Sequence, residues 1–196
     1  MNPIVDRGAV VAAFVGVGMA VTMAISFLLV IPIEPAYILL ALPAGLVIGY
    51  YANARSRRVR GEWRRIIPNG LLAGLVTGAV LAVLLLGTKA LFFYGDNGYP
   101  DFNRADQAGT IAGPRCQTGA DCVYQRYQRA NSGELATIGA TDATSFATLY
   151  WDAQWGSARL LVGATTIAAL GGAVLFGLGG PRSAVAASVR KAPAPA

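Results

Sequence analysis

Three stretches of this sequence hold residue types at spacings that could do chemistry. Cys116-Gln-Thr-Gly-Ala-Asp-Cys122 contains both cysteines of the 196-residue chain. Ala52 to Arg65 (ANARSRRVRGEWRR) carries Arg55, Arg57, Arg58, Arg60, Arg64 and Arg65 against the single acid Glu62. Between Asp96 and Asp106 the side chains of Asp96, Asn97, Asp101, Asn103 and Asp106 form an oxygen-rich, turn-forming set.

Each stretch has a plain reading beside a reactive one. The cysteines are spaced C-x5-C, not the C-x-x-C of redox-active pairs, so a structural disulfide is the simplest expectation on an oxidising face; free thiols and a redox role are the alternatives. The oxygen-rich set lacks the EF-hand spacing and its closing Glu, and reads as a solvated turn in preference to a metal site. There is no histidine in the chain, which removes His-ligated haem or chlorophyll, histidine-containing zinc sites and every imidazole triad. No G-x-x-x-x-G-K-[ST] phosphate loop occurs. The sequence therefore predicts no catalytic constellation, no metal and no cofactor, although a lipid or pigment held by apolar contact leaves no sequence signature.

The elements that carry these stretches are apolar. Hydrophobic residues make up 55% of the chain and charged residues 13%, about half the charged share of an ordinary soluble domain. Four windows carry no charge: Gly8 to Ile33, Pro35 to Ala54, Ile66 to Thr88 and Leu160 to Pro181. Each is long enough for a helix to cross about 30 Å of hydrocarbon, and too long for a barrel strand. The expected fold is an all-α integral membrane protein with transmembrane helices near 8–31, 35–54, 66–94 and 158–181. An arginine loop (55–65), an extracytoplasmic segment (95–157) with a disulfide-braced, partly helical cap, and an Ala/Pro tail (182–196) complete the organisation. The first apolar run exceeds a signal-peptide core and lacks an A-x-A-like site before Pro32, so it reads as a retained span.

Charge asymmetry orients such a chain. Arg7, the arginine loop, Arg182, Arg190 and Lys191 lie on one side, whereas Gly95 to Gly156 has seven acids against four arginines. The positive-inside rule puts both termini and the loop in the cytoplasm. The loop then reads as an orientation signal attracting anionic lipid headgroups. It has one aromatic residue, Trp63, and none of the stacking or groove-reading elements of a nucleic-acid binder. Arginine strongly outnumbers lysine in a chain rich in Ala and Gly, the composition of a GC-rich genome, so the expected location is a bacterial cytoplasmic membrane.

Small residues recur every fourth position on each span. The rows include Gly16 and Ala20, Gly45 and Gly49, Gly74 and Gly78, and Ala168 and Gly172. Such rows permit close backbone approach where lipid offers no hydrophobic drive for association, within the chain or with other integral subunits or copies of itself. Pro43 is expected to bend the second helix. Tyr50, Tyr51 and Trp63 on one side, and Phe92, Phe93, Tyr94, Tyr150, Trp151 and Trp155 on the other, read as interfacial belts. In the outer segment, Thr118 and Asp121 suggest the cap of a helix running to about Ala130 with a stop at Gly133. Apolar residues at Leu135, Ile138, Phe146, Leu149 and Tyr150 suggest a second, surface-lying helix over 134–154.

Four helices, cytoplasmic termini and outer cysteines resemble the topology of quinone-linked disulfide-forming membrane proteins. That family's C-x-x-C in the first outer loop is absent, because the loop is only Ile-Pro-Ile-Glu-Pro; tetraspanins share the short and long outer loops, but their Cys-Cys-Gly is also absent. The leading functional expectation is a non-catalytic integral subunit or assembly factor of a larger membrane complex. A small transporter or channel accessory, with Glu34 and the bent second helix to inspect, and a membrane enzyme acting on lipid substrates through the arginine loop are the alternatives.

Overall fold

The computed structural model describes residues 5–30, 34–95 and 119–182. Among them are helices α1 (Arg7–Ala24), α2 (Glu34–Arg55), α3 (Trp63–Tyr94), α4 (Ala120–Thr137) and α5 (Ala143–Gly179), with no strand. α1 passes directly into a π-helical segment, Ile25–Val30. Four of these are long and apolar enough to cross a membrane: Arg7–Val30, Glu34–Arg55, Trp63–Tyr94 and Ala143–Gly179. At 1.5 Å per residue, α3 and α5 are about 48 and 55 Å long, well beyond the roughly 30 Å of hydrocarbon. α2 stays helical through Pro43.

The segment between the third and fourth apolar helices differs from its sequence-based description. α4 does not stop at Gly133; it runs to Thr137. The stop is Gly139, at φ +78°, where the Ala140 N–H bonds back to the Leu135 carbonyl at 3.0 Å. That is the 6→1 bond of a Schellman motif, whose left-handed residue is cheapest as glycine. Nor is there a separate helix over 134–154. Asp142 starts α5 instead, its carboxylate accepting the N–H groups of Thr144 (2.9 Å) and Ser145 (2.8 Å), while Ser145 Oγ accepts the Asp142 N–H (3.1 Å). A reciprocal cap of this kind nucleates a helix firmly. Backbone hydrogen bonding from Ser145 is the main reason the Asp142 carboxyl lies below its ordinary pKa. The segment from Ala143 onward therefore belongs to one continuous 37-residue helix. Thr118, the oxygen-rich turn and the Ala/Pro tail beyond Arg182 lie outside the described residues.

The chain forms two compact units, one of residues 1–84 with 159–196 and one of residues 85–158. In the first, helices meet through small residues. Ala9 and Ala12 of α1, Ile48 and Ala52 of α2 and Ala73 of α3 share one buried cluster. Gly16 sits against Thr77 of α3. Ala169 of α5 is fully buried and is approached from two sides, by Gly49 of α2 and by Gly70 and Gly74 of α3. A methyl group built on Gly49 would overlap the Ala169 carbonyl; one on Gly45 would lie 2.5 Å from the Thr165 carbonyl and 3.0 Å from Ala168 Cβ. One on Gly172 would meet the Leu46 carbonyl, and one on Gly78 would lie 2.9 Å from Val162 Cα. Ala20 is also fully buried.

In the second unit, Phe93, Val123, Leu135, Ala140 and Phe146 form the buried centre, with Tyr124, Tyr127, Tyr150 and Trp151 packed around it. Phe93 lies 5.0 Å from Tyr150 and 5.5 Å from Trp151 between ring centroids, and Tyr127 lies 5.1 Å from Phe146. The Gly119 N–H donates to the Phe93 carbonyl at 3.1 Å, joining the start of α4 to the last turn of α3. Tyr124 donates its hydroxyl to the Thr141 carbonyl at 3.0 Å, fixing the α4–α5 turn.

These contacts make glycine substitutions diagnostic. Gly49→Ala and Gly172→Ala should each cost about 3 kcal/mol or more, because the obstruction is helix backbone that cannot rotate away. Gly163→Ala, with nothing within 4 Å of the added methyl, should be neutral or stabilising by up to about 1 kcal/mol. Thermal unfolding in detergent measures the contrast; similar effects at all three positions would contradict this packing.

Candidate functional site: the arginine end of the bundle

A polar cluster in the first unit gathers the end of α2, the start of α3 and the residue preceding α1. Asn53 and Asn69 are fully buried, and a carboxamide in apolar surroundings must find partners for each hydrogen and lone pair. Asn53 donates both amide hydrogens, to the carbonyls of Gly49 (3.1 Å) and Ile66 (3.2 Å), and accepts from Asn69 Nδ2 at 3.3 Å. Asn69 accepts the Asp6 N–H at Oδ1 (3.0 Å) and donates to Asp6 Oδ2 at 2.7 Å. The accounting closes without a ligand.

Asp6 is the hinge of this network. Its two carboxylate oxygens are gripped by Arg58, whose Nε lies 2.7 Å from Oδ2 and whose Nη2 bonds Oδ1. Bidentate pairing is the strongest geometry open to a guanidinium and a carboxylate. The second face of Arg58 meets Glu62 at 3.5 Å, and Glu62 also accepts the Val59 N–H at 3.3 Å. The Arg58 hydrogen bond is the main cause holding the Asp6 carboxyl below its ordinary value of 3.8, with Asn69 and the charges of Arg58 and Arg65 acting in the same direction against burial. The same pairing pushes the Arg58 guanidinium up. Asp6 and Arg58 thus form an ion-pair clasp at this end of the bundle.

The loop between α2 and α3 is itself fixed at both edges. Arg58 N–H bonds the Asn53 carbonyl and Arg57 N–H bonds the Ala54 carbonyl, both at 3.2 Å. This Schellman pattern puts Arg57 in the left-handed region at φ +54°. Farther on, the N–H groups of Arg60 and Gly61 donate to the carbonyls of Pro181 (3.0 Å) and Gly177 (3.1 Å). Otherwise orphan carbonyls at the end of α5 are thereby satisfied. Trp63 covers Gly177, and Tyr50 meets Phe176 edge-on at 5.3 Å. Ends of all four apolar helices are thus tied together here.

The six loop arginines consequently divide. Arg58 is committed to the clasp, and Arg65 is half-buried and adds to the field on Asp6. Arg55, Arg57, Arg60 and Arg64 are exposed. The small residues Gly16, Gly45, Gly49, Gly74, Gly78, Ala168 and Gly172 lie at contacts between helices of this one chain. Cys122 is buried in the first turn of α4, whereas Cys116 lies outside the described residues. Glu34 opens α2, and the bundle's polar residues Thr77 and Thr165 are fully buried beside Gly16 and Gly45. Sequence reasoning missed Asp6, Asn53 and Asn69 as a unit. The available signal was two asparagines in apolar windows, each of which required a polar neighbour.

The second unit holds a cavity of about 310 Å³ lined by Tyr127, Leu135, Ile138, Phe146, Leu149, Tyr150, Ala153 and Gln154. None of these residues is charged, so the cavity suits apolar side chains or other apolar groups better than ions.

Removing one member of the clasp should expose its cost. Arg58→Ala should destabilise the protein by about 2–3 kcal/mol, more than Asp6→Asn, because it strands a partly buried carboxylate. The double variant should lose less than the two singles together. Since the Asp6 pKa is lowered on folding, its stabilisation is present above pH 3.8 and disappears as pH falls through the lower folded value. The stability gap between wild type and Asp6→Asn, followed by thermal melts across pH, should therefore be flat near neutrality and close in acid. A gap that persisted unchanged in acid would refute the ionic account.

No protein-family model matches the chain, and searches of curated proteins and of solved structures likewise give no match.

Proposed function

We propose that this chain is a non-catalytic integral subunit or assembly factor of a larger membrane complex, and that its partner binds the α4–α5 hairpin. The observation supporting this reading is the uncharged cavity beside Ile138, which is 49% exposed. An apolar, aromatic-rimmed depression next to an exposed aliphatic residue suits an inserted apolar side chain of another subunit. The glycine rows favour the same division of labour, since their close contacts are made inside the chain and leave the hairpin as the more distinctive surface. In this reading the protein lies in a bacterial cytoplasmic membrane with its termini and arginine end in the cytoplasm.

Gentle extraction followed by mass measurement and identification of co-purifying chains tests the proposal. The expected result is a stoichiometric complex that Ile138→Asp dissolves, with the melting of the chain itself unchanged because Ile138 is half exposed. A lone monomer or homo-oligomer would overturn it.

The proposal includes a Cys116–Cys122 disulfide bracing the entry to α4. Burial of Cys122 in the first helical turn supports it, as does the oxidising face assigned to this segment. Closing so short a loop is worth roughly 2 kcal/mol. The Cys116→Ser/Cys122→Ser double variant should lower the stability of the hairpin by about that amount and weaken assembly without changing membrane insertion. Alkylation of both thiols in the unreduced, denatured protein would rule the bridge out.

A further inference from the structure

We infer that the arginine end of the bundle is a headgroup-binding rim for anionic phospholipids, assembled from four helix ends and not from the arginine loop alone. Its members are Arg7, Arg55, Arg57, Arg60, Arg64 and Arg182, all exposed.

Three observations carry the assignment. The first is placement. Asp6 holds Arg58, so Arg7 at the start of α1 is brought to the loop; the first turn of α1 also touches the end of α2, where a methyl group on Gly8 would lie 2.5 Å from the Ser56 backbone nitrogen. Arg60 bonds the Pro181 carbonyl, which brings Arg182 to the same end. The second is pairing. Arg58 consumes both local carboxylates, Asp6 and Glu62, and among the described residues no ion pair involves the six rim guanidiniums.

The third is the sign of the helix ends. Arg55 and Arg57 near the C-terminus of α2, and Arg182 beyond that of α5, complement the negative ends of those helices. Arg7 and Arg64 instead lie in the first turns of α1 and α3, beside Asp6 and Glu62, whose carboxylates are already paired with Arg58. Cations are disfavoured at a helix N-terminus, whereas phosphate is favoured there. With both neighbouring carboxylates engaged by Arg58, an external phosphate suits these two positions. The apolar residues Leu160 to Gly179 of α5 rise about 30 Å, one hydrocarbon thickness, before Arg182 is reached. Trp63 at the start of α3, 39% exposed, adds an aromatic of the kind found at headgroup depth. Charges distributed around helix ends at this depth meet lipid phosphates of the adjoining leaflet. The inference rests on the membrane-spanning character of the four apolar helices, not on the partner proposed above.

The test uses the full chain in nanodiscs of phosphatidylglycerol and phosphatidylcholine in equal parts, with spin-labelled versions of each lipid. At low salt, phosphatidylglycerol should be preferred in the motionally restricted shell, and the preference should collapse near 1 M salt, where screening acts within about 3 Å. The pair Arg7→Gln/Arg182→Gln and the pair Arg57→Gln/Arg60→Gln should each lower the preference about fivefold or more. Arg159→Gln, 23 residues before Arg182 on the chain, should leave it unchanged. Equal association of the two lipids would overturn the inference. So would a preference abolished by the loop pair but untouched by the Arg7/Arg182 pair, because the rim would then be the loop alone. Salt-sensitive capture of single-stranded RNA by protein in pure phosphatidylcholine discs, without any phosphatidylglycerol preference, would assign the arginines to nucleic acid instead.

Discussion

Much of the bundle depends on how closely α2 and α3 can approach α5 at Ala169. Inside hydrocarbon, helices gain nothing by hiding leucines from lipid tails that are equally apolar. What remains is dispersion at close range and whatever polar bonds the interior can complete. Gly49 admits the Ala169 backbone from one side, while Gly70 and Gly74 admit it from another. Larger residues at these points would push both helices outward, and the contacts that replace the missing hydrophobic drive would fall away steeply with distance. Thr165, Ala169 and Gly172 are thereby fixed in register with Gly45, Gly49 and Leu46. The contacts of Ala173 and Phe176 with Ile66 extend the same packing towards the arginine end.

The polar clasp at that end solves a different problem. Close packing alone can slide by a helical turn at modest cost when both faces are rows of Gly and Ala. Two buried asparagines and one carboxylate cannot slide, because each would lose partners that no lipid can replace. Asp6 pins the start of α1 to Asn69 of α3 and to Arg58 of the loop, and Asn53 pins α2 to the Ile66 carbonyl. Close approach gives the bundle its cohesion, and the clasp gives it a single register. An ion pair withdrawn from water is often of little net value to stability, so specificity of arrangement is the better account of this partly buried one.

The second unit is built on other terms. Its centre is aromatic, with Phe93, Tyr127, Phe146, Tyr150 and Trp151 in tilted and edge-on contacts, and its turn is set by Gly139 and Asp142. Large flat side chains leave gaps that small aliphatic ones would close. The uncharged cavity between Tyr127 and Gln154 is one such gap. The contrast between a small-residue bundle and an aromatic hairpin with a cavity underlies the proposed division between holding the chain in the membrane and engaging a partner.

By itself the sequence determined the helical class, the four apolar spans and the clustering of arginine in one loop, since each follows from local composition and window length. Helix starts and stops in the α4–α5 hairpin were legible only in part. Gly139 and Asp142-Ala-Thr-Ser145 carried the correct punctuation, but Gly133 carried a competing signal that helix continuity overrode. Tertiary structure alone decided which arginines are structural and which are exposed, because that depends on Asp6 and Asn69, 52 and 63 residues from their partners Arg58 and Asp6. It also decided that the glycine rows meet within the chain. A row of small residues specifies how near a neighbour can come, but its geometry is the same whether that neighbour is another helix of the chain or one belonging to a partner.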